Sequence, residues 1–253
     1  MRLASPWPTC LRAYEEQRMT DPNQVVAKLV LFQDRPGESL SERIDRTSPE
    51  DARQLIKLWS DLFRGLLVSN GYDRRQITRL TTKFRDAGRR SPPWQPGSES
   101  GKRRPQDGAD GNRRSRWLFG SDHKFYADEV TATLTEVRYL LQTLSMEGAP
   151  EIPGGELENG FVTILGHRLR PGMFLDPIQK IPVEFKKFIA NPRYVESGHL
   201  VPLGRGGKHA PDNATLMLRD SNRLQADLPL SELLELMAGI LERQGYLETR
   251  SGE

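Results

Sequence analysis

Residues 196–227, ESGHLVPLGRGGKHAPDNATLMLRDSNRLQAD, limit what this chain can become more than any other segment. Two short apolar runs, at 200–203 and 214–218, flank a loop over 204–211 with three glycines and two basic residues. Runs that short, bounded by turn residues, read as strands. Asp220 or Ser221 can cap a helix beginning near Asn222, and Pro229 interrupts it. A longer amphipathic helix is expected over 231–244, packing through Leu233, Leu234, Met237, Ile240 and Leu241 and ending at Gly245. The order is strand, loop, strand, helix. A hairpin followed by a crossing helix brings the start of the first strand, the end of the loop and the first helical turn to one point. Those three places carry His199, Asn213 and Asn222.

These residue types suit metal-assisted phosphodiester chemistry. An imidazole can take a proton from water near neutral pH. A neutral amide oxygen can hold a hard divalent cation without cancelling its charge. Each residue also has a plainer reading, as a surface histidine, a turn asparagine after Pro211-Asp212, and a helix cap. Their joint occurrence at this spacing favours a site. Arg205, Lys208, Arg219 and Arg223 surround it and are read as phosphate contacts. His209, in the Gly-Gly-x-His loop, is read as loop structure or a phosphate contact, with a second site role as the alternative. His123 and His167 are left as structural.

The chain has 253 residues, enough for one large domain or two modest ones, with 36% hydrophobic and 28% charged residues. Its single cysteine, Cys10, excludes an internal disulfide framework and a four-cysteine zinc knot. No apolar run approaches the length of a membrane span, and Pro6, Pro8 and Glu15 interrupt any apolar signal core. A cytoplasmic protein that binds metal through oxygen and nitrogen is expected. The net charge of +3 is a weak pointer to nucleic acid. Its distribution says more: residues 74–116 hold 13 Lys/Arg against four Asp/Glu.

Along the chain, Asp21-Pro22 can open either a helix or a strand over 25–32, and DRPGESLSER reads as a turn-rich loop. Ser48-Pro49-Glu50-Asp51 starts a helix whose buried face is Leu55, Ile56, Trp59, Leu62, Phe63 and Leu66, ended by Asn70-Gly71. The stretch SPPWQPGSESGKRRPQDGADGNRRS is a flexible linker, or a basic arm that tracks phosphate, or both. A second amphipathic helix is expected over 126–146, closed by Gly148. Two short strands are expected over 161–165 and 169–174, turned through Gly166-His167, and a short helix over 183–189 stopped by Asn191-Pro192.

The pattern G-H-L-V-P-L…G-G-x-H-x-x-D-N-A-T-L-M-L…S-N-R, with Asn213 and Asn222 standing 14 and 23 residues after His199, resembles the HNH endonuclease family, the ββα-metal fold. It covers about 35 residues. The resemblance implies His199 as general base activating water, Asn222 as ligand to Mg2+ or Mn2+, and Asn213 as a brace on the loop that orients His199. It implies cleavage of double-stranded DNA to 5′-phosphate ends. Two departures stand out. Most members carry aspartate directly before the histidine, where this chain has Gly198, and Glu196 is a nearby carboxylate. The flanking cysteine pairs that bind zinc are missing, so no structural zinc is expected.

The expectation is an α+β protein: a mainly helical region over 1–90, a basic linker over 91–116, and a C-terminal ββα-metal nuclease domain over 117–253 with its core at 194–245. A restriction endonuclease acting as a homodimer is favoured. The alternatives are a nicking, mobile-element or toxin nuclease, and a DNA-binding module with a decayed site.

Overall fold

Capping residues write most of the helical starts into this chain. The computed structural model describes residues 21–91 and 114–246. The Asp21 carboxylate accepts the Asn23 N–H and opens α1 (Pro22–Leu29), which settles the helix–strand ambiguity over 25–32. A short helix, α2 (Leu40–Asp45), lies where a loop was expected, because Ser39 and Glu42 form a capping box. Arg43 in α2 is buried, and its guanidinium donates to the carbonyls of Phe32 and Gln33. The long helix α3 (Pro49–Ser69) begins at Ser48 and stops at Asn70, as its sequence signals require. Asp73 caps α4 (Arg74–Gly88), which carries much of the positive charge that the sequence concentrates after residue 74.

The expected second helix is α5 (Glu129–Leu144), opened by Asp128. It is buried on nearly every side rather than along one stripe, because α3, α4 and the hairpin all pack on it. One hydrophobic core runs from Val25 in α1 to Leu218 in the hairpin. At its centre the Trp59 and Phe161 rings meet edge to face at 5.0 Å. Each fully buried leucine or phenylalanine there contributes about 1.5–3 kcal/mol. Residues 92–113, most of the expected linker, lie outside the described residues.

The strands expected at 161–165 and 169–174 are absent. The first run is a single helical turn, α6 (Val162–Leu165), closed by Gly166 at φ +88°. Asp34 accepts the Thr163 N–H at 2.8 Å and holds the turn from a loop far away in sequence, which no local pattern reports. Residues 169–174 are irregular. The short helix α7 (Phe185–Ala190) is as expected.

The sheet has two antiparallel strands, β1 (Val195–His199) and β2 (Ala214–Leu218), in register from Val195–Leu218 to His199–Ala214. The first strand therefore ends on His199 instead of following it. The Leu200 N–H still bonds Asn213 O, but the Asn213 side chain then takes both backbone groups of Val201, and Pro202 has no N–H to offer. The outer edge of β2 is closed by side chains: Gln142 of α5 accepts the Leu216 N–H at 2.9 Å, and buried Asp176 accepts that of Leu218 at 2.8 Å. After β2, α8 (Arg219–Gln225) starts three residues before Asn222 without a side-chain cap. Ser221 instead turns inward to Asp176. The last helix, α9 (Leu230–Arg243), follows Pro229, but only Leu233 of its expected packing face is buried. Met237 is partly covered, while Leu234, Ile240 and Leu241 are exposed. The chain is thus α+β and about half helical with one small sheet. Among the described residues no helix is long and apolar enough to cross a membrane.

Candidate active site

His199 closes β1, Asn213 immediately precedes β2, and Asn222 sits in the first turns of α8. The Asn213 carboxamide accepts the Val201 N–H at 2.7 Å and donates to the carbonyls of Val201 (2.9 Å) and Lys208 (2.8 Å). Both its amide hydrogens and its oxygen are engaged within the loop, the arrangement expected of a brace. Gln225, which the sequence reading passed over, donates to the carbonyls of His199 at 2.9 Å and Leu200 at 3.0 Å, fixing the turn after β1 from the helix side.

The tautomer of His199 follows from its partners. His209 Nε2 lies 2.7 Å from the Gly88 carbonyl oxygen, which can only accept, so that nitrogen carries the proton. His209 Nδ1 is then bare and accepts from His199 Nε2 at 2.9 Å. His199 Nδ1 remains as an unprotonated nitrogen with no partner among the described residues. Burial holds the His199 imidazole down to about pKa 4, with the Arg116 guanidinium adding to the effect. Burial drives His209 well below its ordinary range, and Arg116 and His199 push the same way. Both rings are neutral at physiological pH. His209 is 1% exposed with both nitrogens engaged, so it makes no phosphate contact; it belongs to the interior and orients His199.

The Asn222 amide donates to Glu196 Oε2 at 2.8 Å, which leaves its Oδ1 without a partner among the described residues. A Cβ placed on Gly198 would lie 2.7 Å from that oxygen and 2.8 Å from the Met217 thioether. Glycine before His199 therefore keeps open the space in front of Oδ1. A larger residue there would require the Asn222 and Met217 side chains to shift. Among the described residues, no three His, Cys, Asp or Glu side chains cluster as a metal cage.

His199, Asn222, Glu196, Ser197 and Gly198 line a cleft of about 760 Å³. It is also lined by Arg79, Lys83 and Asp86 of α4, joined by Arg90 just beyond the end of that helix, Arg116 and Arg193. Lys83 donates to the carbonyls of Pro192 and Val195, tying α4 to the start of β1, and burial lowers its pKa to about 8. Arg205, Lys208, Arg219 and Arg223 do not line this cleft. Arg205 pairs with Glu232 at 2.5 Å, and Arg219 lies 3.8 Å from Glu196. The sequence does hold a signal for the missed wall: positions 79, 83, 86 and 90 recur at helical spacing on one face.

No protein-family model matches the chain, and no curated protein matches it. One solved structure, described as the crystal structure of a type II restriction endonuclease, is similar with a TM-score of 0.48 and 19% identity, over 72% of this chain and 83% of that one.

Proposed function

We propose that this protein is a metal-dependent DNA endonuclease of the HNH type, acting as a restriction enzyme. The observation that carries the reading is the neutral His199. Its Nε2 proton is committed to the His209–Gly88 chain, and it lines the same cleft as the unpartnered Asn222 Oδ1. His199 Nδ1 accepts a proton from water, and the resulting hydroxide attacks phosphorus in line with the departing 3′ oxygen. The P–O3′ bond breaks, the 3′ oxygen takes up a proton, and the products are a 5′-phosphate and a 3′-hydroxyl.

The residues fit a hard cation. Asn222 Oδ1 and the Glu196 carboxylate are the groups that would hold Mg2+ or Mn2+. When bound, the cation would supply positive charge against the negative charge that develops on the scissile phosphate and leaving oxygen. Glu196 also fixes which end of the Asn222 amide faces the cleft. Two such sites in a homodimer would allow both strands of a duplex to be cut together.

The test is incubation of purified protein with plasmid and a series of divalent ions, followed by sequencing of the ends. Discrete 5′-phosphorylated fragments are expected; a smear would mark a non-specific nuclease. His199→Ala is expected to remove cleavage and retain DNA binding, and Asn222→Ala to raise the metal concentration needed. Intact plasmid with every ion, despite DNA binding, would make the protein a binding module.

A further inference from the structure

The hairpin and α8 supply only one side of the cleft, and a strand of DNA must be held from the other as well. We propose that two arginines outside the hairpin and α8 provide that hold: Arg79 on α4 and Arg193 just before β1 grip the phosphates of the strand being cut. This rests on the nuclease reading and adds the surface that delivers its substrate.

The cleft is lined by five cations, Arg79, Lys83, Arg90, Arg116 and Arg193, against two carboxylates, Asp86 and Glu196. Walls with such an excess concentrate a polyanion between them. Three of the five are already engaged. Lys83 is tied to the carbonyls of Pro192 and Val195. Arg116 is buried and donates to the carbonyls of Gly88, Phe125 and Ala87. Arg90, two residues past the end of α4, lies 3.4 Å from Asp86. Arg79 and Arg193 are exposed and have no side-chain partner among the described residues. Two unneutralised guanidinium groups thus face the cavity that holds His199 and Asn222, while Lys83 fixes the spacing between the elements that carry them.

The dimensions suit a strand rather than a small anion. From position 79 to its end at position 88, α4 advances about 13.5 Å along its axis. A DNA strand places one phosphate per roughly 3.4 Å of helix axis, so this wall runs beside several successive phosphates. The expected phosphate contacts at Arg205, Lys208, Arg219 and Arg223 fall outside the cleft; on this reading they are not the residues that carry the strand to His199.

The experiment measures affinity for a short DNA duplex as a function of salt, with His199→Ala as the uncut parent. Arg79→Ala and Arg193→Ala are expected each to weaken binding about 5- to 20-fold and to reduce the salt slope by about one. Arg170→Ala, an exposed arginine away from the cleft, is the control and is expected to bind as the parent does. In the otherwise native chain, Arg79→Glu with Arg193→Glu is expected to abolish cleavage at an unchanged melting temperature, since both side chains are exposed. If the native chain binds and cuts DNA while the Arg79 and Arg193 variants keep parental affinity and slope, the proposed hold is wrong and the nuclease reading stands. If the native chain neither binds nor cuts DNA, both are wrong.

Discussion

A histidine does not choose its own tautomer; the groups around it do. Here the choice starts at a backbone carbonyl in α4 and passes through His209 to His199. Glutamine at position 209 can reproduce both contacts, accepting from His199 and donating to Gly88, whereas leucine fills the volume and offers neither. His209→Leu is therefore expected to lower kcat about 10- to 100-fold with little change in KM. His209→Gln is expected to restore most of the loss at a similar melting temperature. Equal losses in the two variants would reduce His209 to packing. The same experiment carries a pH test. Because the folded His199 sheds its proton down to about pKa 4, activity is expected to persist as pH falls through 6.5, the ordinary histidine value. Stability moves the other way. The unfolded chain takes up protons that these buried rings refuse, so their contribution is complete above about pH 6.5 and is lost as pH drops towards 4. His199, Asn213 and Asn222 could be picked out in the sequence because the motif spaces them in one segment. The roles of His209 and Glu196 depend on which neighbour each meets, and spacing alone does not state that.

At the scale of elements, local signals worked where caps decide the outcome and failed where distant side chains do. Ser48, Asn70 and Asn191-Pro192 mark their helix ends, as the structure has them. Residues 200–203 are apolar enough for a strand, yet Asn213 diverts their backbone groups and the strand lies before His199 instead. The α8 start was misplaced for a similar reason. Its junction with β2 is organised by Asp176, whose buried carboxylate accepts the N–H groups of Ile178, Gln179 and Leu218 and the Ser221 hydroxyl. Asp176→Ala leaves several buried donors unsatisfied and is expected to cost about 2–4 kcal/mol, read by denaturant titration. A loss under 1 kcal/mol would show that the junction holds by apolar packing alone. The α9 face reads as amphipathic in sequence, but periodicity reports only that a stripe is apolar, not that something covers it.

For the molecule as a whole, the hairpin is not self-supporting. An isolated pair of strands is marginal in water. This pair is fastened to α5 through Gln142 and to α4 through Lys83. A fragment comprising residues 194–246 is expected to lack fixed tertiary structure, shown by poor amide dispersion in NMR spectra and no cooperative melting. A well-dispersed spectrum would overturn this dependence on the N-terminal half. The sequence led to the motif as a compact unit because its residues are contiguous. It did not disclose that one wall of the cleft belongs to a helix more than a hundred residues earlier.

The described chain stops at Ser91 and resumes at Arg114, and these two residues sit side by side, the Ser91 N–H bonded to Arg114 O at 2.8 Å. Whatever path the 22 intervening residues take, they leave and return through one gate beside α4. An excursion closed at its base transmits little of its length to the scaffold, since each doubling adds only about 0.6 kcal/mol of closure entropy. Insertions or deletions between Ser91 and Arg114 are accordingly expected to leave the bond that joins these two residues in place.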